Sequence, residues 1–147
     1  MGTCHGYARE ANGKSIGIDT LLNKASRAVC KIITNGKLGT GFFIKIYMSN
    51  YTKFFLMSNE HVIDKNLIEN KEIIEIHYDY GFKSIKIKLD NNERLINEYK
   101  TNYNLDVTTV EILKEDNIND DYFLLPYLKD HNIKIGDKIY IPHMQIY

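Results

Sequence analysis

Between residues 72 and 89 the chain alternates apolar and polar side chains in two successive runs, and this period of two constrains the fold more than any other feature. In EIIEIHY, 72–78, Ile74, Ile76 and Tyr78 share one face while Glu75 and His77 share the other. In KSIKIKL, 83–89, Ile85, Ile87 and Leu89 oppose Ser84, Lys86 and Lys88. Successive side chains of a strand point to opposite faces, so each run reads as a strand with one buried face. The β-rich runs RAVCKIIT (27–34), LGTGFFIKIY (38–47), FFLMS (54–58) and LDVTTVEIL (105–113) raise the count to six, and DKIYI (137–141) is a short seventh cut off by Pro142. Asn35-Gly36 supplies the positive φ positions of a tight hairpin turn, and DNNE, 90–93, closes the strand before it. The first 25 residues show no sustained apolar period and read as a flexible arm or short helix, with the folded domain at 26–147. No heptad, internal repeat or βαβ alternation is present. The expected architecture is therefore mainly β: one six-stranded antiparallel barrel.

A length of 147 residues with 44% hydrophobic content suits a single domain with one core. The 19 basic and 19 acidic side chains cancel, so no overall field recruits nucleic acid or an anionic membrane. The longest apolar runs, such as FFLM at 54–57, fall far short of the roughly 20 residues of a membrane helix. Cys4 and Cys30, without a secretory segment before them, are expected to be free thiols in a reducing, cytoplasmic setting.

With the strands placed, His61 falls just beyond the third and Asp106 at the start of the sixth. GTGFFI followed by FFLMSNEHVI resembles the G-[ST]-G-F and L-[ST]-N-x-H-V segments of trypsin-like and HtrA-like serine proteases. LDVTTVEI is similar to their aspartate strand, and the 45 residues from 61 to 106 match the family's spacing, which runs two strands between histidine and aspartate. The resemblance covers residues 26–142 as the first of the family's two barrels. It implies His61 as general base and Asp106 as the acid that orients it. It also implies a protein or peptide substrate, and a second barrel that brings the serine in a glycine-flanked segment. All serines here precede residue 85 and none has that glycine frame. The expectation is thus a serine-endopeptidase-like half, inactive alone; the alternative is a non-catalytic barrel that binds another protein. The face normally covered by the second barrel would then lie open to that partner or to self-association.

Other motifs carry less. Ala8–Ser15, AREANGKS, fits a relaxed phosphate-loop pattern, but no strand precedes it to deliver a helix N-terminus, so no nucleotide is expected. MGTC offers Gly2 and Cys4 for acylation, with Gly6 where Ser or Thr is usual. Cys4 and His5 lack a second ligand pair, and neither metal nor cofactor is expected. His77, His131 and His143 read as solvent-facing or strand-edge residues. Gly39 and Gly41 read as relief of backbone crowding at a bulge or corner.

Overall fold

The alternating runs pair into one antiparallel sheet. A computed structural model of the chain describes residues 7–9 and 15–126. A short ladder of β1 (Tyr7–Arg9) and β2 (Ser15–Gly17) leads into α1 (Ile18–Ala28). The main sheet comprises β3 (Val29–Ile33), β4 (Leu38–Tyr47), β5 (Thr52–Ser58), β6 (Ile73–Tyr78), β7 (Lys83–Lys88), β8 (Ile96–Glu98) and β9 (Thr108–Glu111). Helix α2 (Lys65–Glu69) follows β5, and α3 (Lys100–Tyr103) lies between β8 and β9. The strands lie side by side in the order β7-β6-β3-β4-β5-β9-β8, each neighbouring pair antiparallel. Within it β6-β3-β4-β5 is a Greek key: three strands joined by consecutive hairpins, with the fourth returning beside the first.

The sheet curls as half a barrel around one core, which corrects the expected six-stranded barrel in two respects. It has seven strands, because INE at 96–98 pairs with β9 in the register Ile96↔Val110. Three residues are too few to show a period. It is also open, since among the described residues β7 and β8 are the two edges and do not pair with each other. The boundaries shift too: Arg27 and Ala28 belong to α1, and β9 begins only at Thr108 because Val107 N–H bonds back to the Leu105 carbonyl at 2.8 Å. In the turn at Asn35-Gly36 only Gly36 takes positive φ, at 77°. The expected strand at 137–141 lies outside the described residues.

Period-two burial holds the sheet together. Cys30 and Ile32 of β3, Phe43 of β4, Leu56 of β5, Ile74 and Ile76 of β6, Ile87 of β7 and Val110 of β9 are all buried in one cluster. Each such side chain contributes about 1.5–3 kcal/mol when fully buried. The Cys30 thiol is free, and burial pushes it up to about 12. The two glycines of GTGFF serve close packing: a Cβ at Gly41 would lie 2.9 Å from the Met57 carbonyl oxygen, and one at Gly39 would lie 2.3 Å from a Val62 methyl. Phe123 packs on Phe43 and Phe54, with ring centroids 5.4 and 4.7 Å apart. That contact lets Leu124 bond to Phe43 and Lys45 of β4, on backbone that β3 leaves free beyond Val29↔Phe42.

Helix α1 is fastened by its polar side chains. Arg27 Nε donates to Asp79 Oδ1 at 3.1 Å and Arg27 Nη2 to Tyr122 Oη at 3.0 Å, while Tyr122 Oη donates to Asp79 Oδ2 at 2.7 Å. His77, read as solvent-facing or strand-edge, is half-buried within β6, its Nε2 2.6 Å from Glu75 Oε1. Among the described residues, no helix is long and apolar enough to cross a membrane.

The turn after β7 is expected to make the fold sensitive to acid. Asp90 Oδ1 accepts from the Asn92 amide at 3.0 Å, and Oδ2 faces Lys71 Nζ at 3.1 Å and Lys88 Nζ at 3.2 Å. The Asn92 amide, then Lys71, hold its carboxyl at about 2, below the ordinary 3.8. A depressed folded value means the stabilisation is complete above about 4 and is lost as pH falls through about 2. Chemical denaturation of wild type and Asp90→Asn across pH 2–5 is expected to show a stability decline in that window for wild type. The variant should lack that part of the decline, and parallel curves would rule the linkage out.

Candidate functional site

The pairing of β5 with β9 puts the two expected site residues together. The register matches Ser58 with Thr108, so the residues just after β5 and those just before β9 emerge at the same end of neighbouring strands. His61 lies three residues beyond the first and Asp106 two before the second. Three strands, β6, β7 and β8, lie between them in the chain rather than the expected two.

The turn that presents His61 is anchored on both sides. Val62 and Ile63 are buried, and their amides bond the Asn59 carbonyl, both at 3.1 Å. Gly39 leaves the space that Val62 fills. The buried Thr108 hydroxyl donates to the Ile63 carbonyl at 2.9 Å. Asp64 then caps α2 by accepting from the Leu67 amide at 3.0 Å, and Lys37 Nζ lies 3.1 Å from its other oxygen. Ser58 Oγ donates to the Thr40 carbonyl at 2.9 Å, so that hydroxyl serves the sheet. The buried Glu60 meets Lys100 Nζ at 2.9 Å, which ties the turn to α3 and raises the Lys100 ammonium above its ordinary value.

His61 Nδ1 lies 2.7 Å from Asp106 Oδ2, and the His61 backbone amide donates to Asp106 Oδ1 at 3.0 Å. Both oxygens of the carboxylate are therefore engaged by the same residue. Asn59 Nδ2 adds a bond to Asp106 Oδ2 and one to the Asp106 carbonyl, both at 3.2 Å. These donors, the His61 amide first, hold the Asp106 carboxyl below its ordinary value. An ionised carboxylate only accepts hydrogen bonds, so Nδ1 carries the hydrogen and the neutral ring has its lone pair on Nε2. The imidazole is 67% exposed and the carboxylate 49%, and among the described residues Nε2 has no hydrogen-bond partner. The arrangement is thus an oriented base with its accepting nitrogen open to solvent.

Asn59 is the residue of this site that sequence reasoning did not single out, although it stands in the SNEHV segment. It fills the asparagine position of the L-[ST]-N-x-H-V segment, but only the fold shows it facing Asp106. Tyr103, the last residue of α3, and Leu105, just before the aspartate, are exposed. No family model matches the chain, and comparison with curated proteins and with solved structures gives no match.

Proposed function

We propose that this domain carries the general base, His61, and the orienting acid, Asp106, of a serine-type endopeptidase, with the nucleophile supplied by a second barrel. The observation that carries the reading is the 2.7 Å contact of His61 Nδ1 with an ionised Asp106, which leaves Nε2 free. In such a site Nε2 takes the serine proton as the hydroxyl adds to the peptide carbonyl, then delivers it to the leaving amine. Asp106 holds the ring in the required form and stabilises the imidazolium. The Greek-key order of the curled sheet supports a trypsin-like barrel, and the half-exposed dyad, with exposed Leu105 next to Asp106 in the chain, supports a partner barrel over that end. A cytoplasmic setting fits the free Cys30 thiol.

Two measurements test this. The purified 147-residue chain is expected to hydrolyse neither casein nor peptide substrates. The native gene product, captured through an antibody to this barrel and treated with a fluorophosphonate, is expected to become labelled on a serine, with the label lost in His61→Ala. A native product that takes no label sinks the protease reading and favours a protein-binding barrel. Turnover by the purified chain, abolished by His61→Ala, would place a nucleophile within it.

A further inference from the structure

We propose that Asn59 is a positioning residue of this site, aligning the Asp106 carboxylate so that His61 is kept with its proton on Nδ1. The inference rests on the reading of His61 as a base. Asn59 Nδ2 reaches two acceptors of one residue, Asp106 Oδ2 and the Asp106 carbonyl, each at 3.2 Å. Oδ2 is the atom that faces His61 Nδ1. The Asn59 carbonyl meanwhile accepts from Val62 and Ile63 at 3.1 Å, so one residue ties the turn of His61 to both the backbone and the side chain of Asp106.

The tie is needed because of where Asp106 sits. Residues 104–107 form no regular structure, and the carboxylate is half exposed. With only His61 as partner, it could rotate or exchange a bond for water, and the ring would lose the acceptor that keeps the hydrogen on Nδ1. A carboxamide suits the task, since it donates across the whole pH range without titrating. A plain structural staple makes a different demand: its loss would lower stability but leave the ring's tautomer alone.

The tautomer is readable in the purified chain by long-range ¹H–¹⁵N correlation of labelled histidine, with His61 assigned by comparison with His61→Gln. Wild type is expected to show the Nδ1–H form. Asn59→Ala and the similarly sized Asn59→Leu should each lower the ratio of Nδ1–H to Nε2–H by about tenfold, the scale of one hydrogen bond to a charged group. Lys37→Ala, which removes an exposed ion pair to the same turn, should leave the ratio unchanged. An unchanged ratio in folded Asn59→Ala overturns the proposal, and where that variant does not fold, Asn59→Leu decides by the same criterion. The readout needs no nucleophile. A shifted tautomer alongside a native product that takes no fluorophosphonate keeps the positioning role and removes the protease.

Discussion

Asp106→Asn, introduced into a serine-bearing product of the kind proposed, is expected to lower kcat by about 10⁴, the loss seen when the triad aspartate of a serine protease becomes asparagine. The cause is written in the hydrogen bonds of this site. Asp106 Oδ1 accepts from the His61 amide, while Oδ2 accepts from His61 Nδ1 and Asn59 Nδ2. An asparagine can put its oxygen in only one of those places. With oxygen toward the His61 amide, its NH₂ faces Nδ1, forces the proton to Nε2 and opposes the Asn59 NH₂. Flipped, the NH₂ collides with the His61 N–H. Either way, the base is in the wrong form or its support is broken. Steady-state kinetics on a peptide substrate, with circular dichroism to show an intact fold, measures this. Unchanged kcat would remove Asp106 from the mechanism.

Asp116→Ala is expected to give the largest stability loss, about 3–5 kcal/mol, because it leaves a buried guanidinium without its counter-charge. Arg94 and Asp116 are 6% and 9% exposed and form a two-pronged pair, with Nη1 2.8 Å from Oδ2 and Nη2 3.2 Å from Oδ1. Arg94 Nη1 also donates to the Glu111 carbonyl at 2.9 Å, and Asp116 Oδ2 accepts from the Leu113 amide at 2.7 Å. The pair therefore clamps the outgoing end of β9, the strand that Asp106 precedes by two residues. Against a total stability of about 5–15 kcal/mol for a domain, the loss is large. Urea denaturation should show it as a lowered midpoint, and the double variant Arg94→Met/Asp116→Leu should recover much of it, since removing both charges avoids the uncompensated one. Equal loss in single and double variants would contradict this account.

Much of the sheet was legible because its strands have one wet face and one dry one. Ile74, Ile76, Ile87 and Leu89 are buried as the alternation required, and Gly39 and Gly41 are placed where side chains would collide. What escaped has a physical reason in each case. Strand β8 has three residues, all half-buried, and gains its place by pairing with β9. Helix α1 is held by Arg27, Asp79 and Tyr122, partners 52 and 95 residues away from the arginine in the chain. Segment resemblance and spacing picked out His61 and Asp106 as the pair to look for. The Asn59 contacts were not legible, since they depend on the register of β5 against β9.

That register also sets a schedule. Strands β3, β4 and β5 can pair as hairpins with their sequence neighbours, whereas β9 must find β5 across the 49 residues between Ser58 and Thr108. Closing so long a loop costs entropy before any of its contacts is gained, and chains rich in such distant pairings fold slowly. During synthesis the His61 turn is made 45 residues ahead of its acid. The dyad is therefore a late product of folding, absent from any nascent chain in which β9 has not yet docked.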